Sequence, residues 1–383
     1  MRNLLLLLCA AFYCCNNTAV NAPTKTEDPV EEGDNTSLPL NKINLPDGYE
    51  IAIYADDVEN ARSMALSPTG TLYVGTRSKG SVYALKDTDG DHKVDKKYVL
   101  LEGGNMPNGV ALKNGDLYVA EVNRILKWSD IESKLDNPGE PEIIYDEYPT
   151  EKHHGWKYIA FGPDGKLYVP VGAPCNICES EDPIFNTITR INPDGTDMEI
   201  VQSGIRNTVG FTWHPETEEL WFTDNGRDMM GDDIPGCELN RATTKGQHFG
   251  YPYCHQGDTP DPEHGSKRGC AEFTPPVQTL GPHVAPLGVE FIGDSFDGEV
   301  KGAALMAEHG SWNRSKKIGY RLTMVGLDAD HNSTGYEVFA DGWLDEESDE
   351  AWGRPVDLEW MPDGSLLVSD DFADVIYRIE YKG

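Results

Sequence analysis

At 383 residues the chain is long enough to bury a sizeable core, and all-β architectures of this length fold as one unit, so a single large domain is admissible. Its 65 acidic against 32 basic side chains give a formal net charge of −33, which makes nucleic acid an unfavourable partner. The acidity reads as a solubility or salt adaptation, because calcium binding would use only a few of these carboxylates.

Residues 1–15 place Arg2 before an apolar run too short to span a bilayer, the pattern of an export signal. Cys14 and Cys15 stand where a lipoprotein carries its acylated cysteine, whereas Phe12 and Tyr13 before them fit that cleavage pattern poorly. A lipid anchor to a membrane and plain secretion both stay open, and the expected location is the periplasm, the medium or the cell surface. Residues 16–42 are polar, acidic and Pro-containing, which reads as a disordered tether. The folded domain is expected over 43–383.

That domain carries an internal repeat. SPTGTLYVGTR (67–77), LKNGDLYVAEV (112–122), GPDGKLYVPVG (162–172) and MPDGSLLVSDD (361–371) share a turn followed by an alternating apolar strand. HPETEELWFTDNG (214–226) is a fifth copy, and 293–310 a weaker sixth with a longer turn. The spacing suits a four-stranded blade with loop insertions, and no later stretch has sustained helical periodicity, so an all-β, six-bladed β-propeller is predicted. A sandwich with similar turns is the blander alternative. In a propeller, loops at one mouth of the central channel face a shared pocket, so residues just after the repeated strands are where chemistry is expected.

Those positions hold Arg77, then Asn225, Gly226 and Arg227, then Glu308, His309 and Arg314; Arg206, Asn207 and Arg354 lie in comparable loops. Arginines from several blades converging on one pocket suit a polyanionic small ligand, because a guanidinium grips carboxylates through forked hydrogen bonds. The competing reading pairs each one with a neighbouring Asp or Glu at the surface. DTDGDHKVD (87–95) places Asp87, Asp89, Asp91 and Asp95 around Gly90, either a structural calcium loop or a solvated acidic turn. Among the later cysteines, proximity in an oxidising compartment pairs Cys175 with Cys178 and Cys254 with Cys270, leaving Cys237 over. Zinc would have to recruit His255 and His264 without any finger-like spacing.

KHHGWKYIAFGPDGKLYV, SGIRNTVGFTWHP, FTDNGRD, HFGYPYCH, PHVAPLGVEF and EHGSWNR, in this order over most of residues 45–381, resemble the glucose and sorbosone dehydrogenase family. The resemblance implies an oxidoreductase that oxidises a sugar with pyrroloquinoline quinone (PQQ) and calcium. It places the base at His154, eight residues before the glycine of the GPDG turn, with His153 beside it. It puts Arg206 and Asn207 on the cofactor, Arg206 within the catalytic set, and Arg314 and Arg354 on the cofactor carboxylates. The catalytic calcium falls to Asn225, Gly226 and Arg227, where Arg227 replaces the proline some members carry. The chemistry agrees: a tricarboxylate explains the arginines, calcium takes hard oxygen donors, and a neutral imidazole suits proton removal near pH 7. Electrons would pass to an external acceptor, since Glu179 after Cys178 excludes a haem-attachment motif. Two other classes remain: a non-catalytic extracellular binding propeller, and a calcium-dependent hydrolase of the lactonase kind, which would want a metal at the channel centre ringed by carboxylates.

Overall fold

Six four-stranded antiparallel sheets follow one another along the chain as the blades of a propeller. The computed structural model describes residues 38–293, 296 and 300–383. The expected leader lies outside them, as does most of the tether. Within the tether's last residues, Leu40–Lys42 forms a 3-10 turn, and Lys42 pairs with Asp345 at 3.1 Å.

The first blade runs Ala61–Leu66, Leu72–Thr76, Val82–Lys86 and Lys96–Leu101. The second starts at Gly109–Lys113 and the third at Ala160–Phe161; Phe211–Trp213 opens the fourth and Pro286–Phe291 the fifth. The sixth comprises Pro355–Trp360, Leu366–Asp370 and Val375–Tyr381, and its fourth strand is the N-terminal Tyr49–Ala55. Tyr49 pairs with Tyr381 and Ile53 with Tyr377. Strand Tyr49–Ala55 thus completes the last blade through backbone hydrogen bonds and ties the beginning of the propeller to its end, which closes the ring.

Each repeat copy is the second strand of its blade. In four of them, Leu72–Thr76, Leu167–Val171, Leu220–Asp224 and Leu366–Asp370, every residue is buried, and Ala304–Glu308 is the same. Alternating side chains point to two faces, but both faces are covered because blades stack on one another. The apolar core is therefore a series of wedges. Leu72, Val74 and Leu85 of the first blade meet Leu367 and Ile376 of the sixth, and Tyr73, Val82 and Ala84 meet Val119 and Leu126 of the second. Each fully buried side chain of this kind contributes about 1.5–3 kcal/mol.

Because neighbouring strands are antiparallel, the end of each second strand lies beside the start of the innermost one. Ala61 faces Thr76, Pro286 faces Glu308 and Pro355 faces Asp370. Two sequence-distant loops per blade therefore reach the same mouth.

Candidate active site

The residue after the second strand occupies an equivalent place in all six blades: Arg77, Glu121, Gly172, Asn225, His309 and Asp371. Arg77, Asn225 and His309 line a cavity of about 410 Å³ at this mouth, joined by Arg62, His153, His154, Trp156, Arg206, Asn207 and Arg354. The structure thus brings together nine of the sequence-identified residues: Arg77, His153, His154, Arg206, Asn207, Asn225, Gly226, His309 and Arg354.

His154 sits in the left-handed region, φ 48°, and its ring is fixed by a 3.0 Å contact between Nδ1 and Ala173 O. Only a protonated Nδ1 satisfies that carbonyl, so Nε2 is left as the acceptor. Gly172 makes the placement possible, because a Cβ there would lie 2.7 Å from His154 Cβ. Burial, then the charge of Arg206, then His153 hold the His154 pKa well below its ordinary value. The imidazole is neutral. His153 packs against it with ring centroids 4.1 Å apart.

Arg206 and Asn207 are held by Asp224, whose carboxylate accepts both backbone N–H groups at 2.9 and 2.7 Å. The Arg206 guanidinium donates to Asn176 O and Oδ1, to Asn225 O, and to Asp228. It ties the Cys175–Cys178 loop to the Asn225 loop. Both expected disulfides form, and Cys237 is free and buried.

Arg77 and Arg354 differ from the other cations. Among the described residues the Arg77 guanidinium has no ion pair; it lies 4.4 Å over the Trp156 ring. Burial, then Arg62, with a smaller push from Arg354, lower its pKa. Among the described residues the Arg354 guanidinium donates only to the carbonyls of His309 and Gly310, both at 3.1 Å, while its backbone N–H donates to Asp370. Two partly buried cations from different blades therefore face the cavity with no carboxylate at ion-pair distance among the described residues, although Asp371 attracts both from farther off.

Three other expected ligands are placed elsewhere. The Arg227 side chain turns away to Asp261 at 2.5 Å and Glu263 at 3.3 Å, leaving only its main chain for the loop. Arg314 donates to Asp232 O and Lys316 O and pairs with Asp233, outside the cavity wall. Near Gly90, Asp87, Asp89 and Asp95 each bring an oxygen within 4.8 Å of the others, while Asp91 stands outside that group.

Arg62, Trp156, Asp228, Asp371 and Trp312 escaped the sequence reading. Arg62 is 1 % exposed, donates to Asn108 Oδ1 at 2.9 Å, and pairs with Asp371 at 2.8 Å. The other Asp371 oxygen meets His309 Nε2 at 2.7 Å. Against the effect of burial, His309 and then Arg62 hold the Asp371 carboxyl far below the ordinary carboxylate range. Asp371 was legible as the last residue of a repeat copy. Arg62 precedes the first copy, and only strand pairing places it at the mouth.

The Asn225 loop fits a calcium ion. Asn225 Nδ2 donates to Asn207 O, yet the buried Oδ1 has no partner. Behind it, Asp224 and Glu238 are direct cross-strand partners, and burial holds both carboxyls above their ordinary values, with Asp224 adding to the effect on Glu238. A hard cation in front of an orphaned amide oxygen and two buried acids is the chemistry calcium prefers.

A TrAA12-like family model matches residues 43–382. A protein of Borreliella burgdorferi, described as uncharacterized, is 30% identical over 354 residues, covering 89% of this chain and 91% of that one. Among solved structures, the calcium structure of the Trichoderma reesei AA12 carbohydrate-active enzyme superposes with TM-score 0.78 at 20% identity, covering 91% of this chain and 99% of that one. The holo PQQ domain of Coprinopsis cinerea pyranose dehydrogenase gives 0.75 at 18% identity, with 88% and 97% covered. The PQQ-bound aldose sugar dehydrogenase of Streptomyces coelicolor gives 0.63 at 20%, with 88% and 99% covered. The family resemblance carried by the motifs is borne out: the propeller is the fold of these sugar dehydrogenases, and the chain belongs to the TrAA12-like family.

Proposed function

We propose that the protein is an exported quinoprotein that oxidises an aldose or related sugar at its anomeric carbon, using PQQ and calcium, and hands the electrons to an external acceptor. The observation that carries this reading is the pair of guanidiniums, Arg77 and Arg354, facing one cavity with no carboxylate at ion-pair distance among the described residues. A polycarboxylate ligand resolves both. Asn225 Oδ1 with the main chain of Gly226 and Arg227 would hold the metal, and Arg77, Arg354 and Asn207 the cofactor. When bound, the quinone supplies the two-electron acceptor and calcium the Lewis acid that polarises it.

The chain's own part is proton handling and orientation. Hydride loss from the anomeric carbon leaves a developing positive centre unless the attached hydroxyl proton departs, and His154 Nε2 accepts that proton. Gly172 and Ala173 O hold the ring, and burial, then the neighbouring Arg206 charge, keep it unprotonated beforehand. The two disulfides support an oxidising compartment. A hydrolase built on a channel metal is disfavoured, because it would need several acidic or histidine ligand atoms gathered around one point at the channel centre. Among the described residues, only the exposed Asp87 group brings three such ligands together.

Reconstitution with PQQ and calcium should give a saturable spectral change, and a dye-linked assay over a sugar panel should then show turnover. No saturable change with calcium present would refute the enzyme reading and favour the binding propeller.

A further inference from the structure

Trp312 lines the cavity and yet is 72 % exposed. Its place on the rim of the cavity is what sets it apart, because there an indole offers a large apolar face with a polar N–H edge. Its loop is not loose. On one side Ser311 N donates to Ile318 O, Ser311 Oγ accepts from Ile318 N, and Ser311 O accepts from the Tyr320 hydroxyl. On the other, Asn313 donates to Asp228 and contacts Met229 Sδ at 3.8 Å, Arg314 holds Asp232 O, and Ser315 N donates to Asp232. An exposed indole whose chain neighbours are pinned on both flanks, on a loop clamped to the neighbouring blade, is presented from a preformed backbone.

The indole stands at the mouth. A cavity of about 410 Å³ is at the small end for a small-molecule site, where roughly 300–1,000 Å³ is usual. Once a tricarboxylate quinone fills it, the substrate must sit outward, beside Trp312. Met229, 66 % exposed, meets the adjoining Asn313 through its sulfur. A pyranose ring has one face of C–H bonds and a rim of hydroxyls, which matches a flat indole surrounded by polar loops.

Resting on the quinoprotein reading for where the cofactor lies, we propose that Trp312 is the stacking platform for a sugar ring beyond the one that reacts, so that the substrate is the terminal unit of an oligosaccharide. The reacting ring enters the mouth, and the next ring lies on the indole, which faces open solvent.

The test uses cofactor-free protein, so it does not depend on turnover. Glucose, xylose and mannose are titrated against the malto-, cello-, xylo- and manno-oligosaccharides built from them, reading heat and tryptophan fluorescence. At least one series should bind roughly tenfold or more tightly than its monosaccharide, the size of one lost stacking contact. Trp312→Ala should abolish that gap and Trp312→Phe should keep most of it, with unfolding midpoints confirming that both fold. Equal affinity for all lengths in every series, or a gap that survives in Trp312→Ala, overturns the proposal. Oligosaccharide binding without quinone binding would leave it standing and reject the enzyme reading instead. After reconstitution, Trp312→Ala should raise KM for the oligosaccharide more than for the monosaccharide.

Discussion

Replacing Arg77 by methionine separates a cofactor-binding cation from a structural one. Its guanidinium has no ion-pair partner among the described residues; Arg62 and Arg354 repel it while Asp371 attracts it, so removal relieves part of the like-charge repulsion. What the fold loses is the stack on Trp156, worth about 0.5–1 kcal/mol at such a site. The two effects oppose, and the stability of the cofactor-free protein should change by less than about 1 kcal/mol. Quinone affinity should instead drop by the about 1.5–3 kcal/mol of a charge-assisted hydrogen bond, roughly 10- to 150-fold in Kd. Arg227→Met is the contrast. It removes one charge-assisted partner from the buried Asp261 carboxylate, which keeps His255 and two backbone N–H groups, and should cost about 1.5–3 kcal/mol of stability. Denaturant unfolding of both variants, beside a calorimetric PQQ titration with calcium, reads the two quantities. Wild-type quinone affinity in Arg77→Met, or a stability loss as large as that of Arg227→Met, would refute the reasoning.

His154→Ala should lower turnover by about 10²- to 10⁴-fold while keeping quinone bound, and His153→Ala should do much less. Since a base is lost as pH falls through its pKa, the acid limb of wild-type kcat/KM should lie below the ordinary histidine value of 6.5; a limb above it contradicts the assignment. Burial, followed by the Asp357 charge, pushes the Glu290 carboxyl up to about 8, and burial pushes Asp357 up to about 7. The folded form therefore keeps protons that the unfolded chain releases, and stability should fall as pH rises from about 4.5 to about 8. Glu290→Gln should flatten part of that fall, measured by unfolding midpoints across the range. Non-reducing peptide maps should show Cys175–Cys178 and Cys254–Cys270, with Cys237 alkylated only after unfolding, because burial pushes its thiol to about 11.

Much of this molecule is legible in one sequence because a propeller is built from a local unit. The turn and apolar strand recur six times, each copy needs a neighbouring blade to cover it, and blade number follows from counting. The same logic finds Arg77, Asn225 and His309, since they follow the repeated strand. Motif order and the family resemblance supply His154 and the Arg206–Asn207 pair. Sequence proximity also finds both disulfides.

Side-chain direction and long-range pairing belong to the tertiary structure. Arg227 and Arg314 sit in loops of the same kind as Arg77 and Arg354, yet each has acidic neighbours that claim its guanidinium: Asp261 and Glu263 for one, Asp233 for the other. An arginine binds whichever anion its fold places nearest, and Asp261 lies 34 residues from Arg227. Arg62 and Asp371 stand 309 residues apart and meet only because the N-terminal strand closes the last blade. The sequence determined which residue types were available at the mouth; ring closure and blade packing decided which of those charges are spent on the protein and which are left for a ligand.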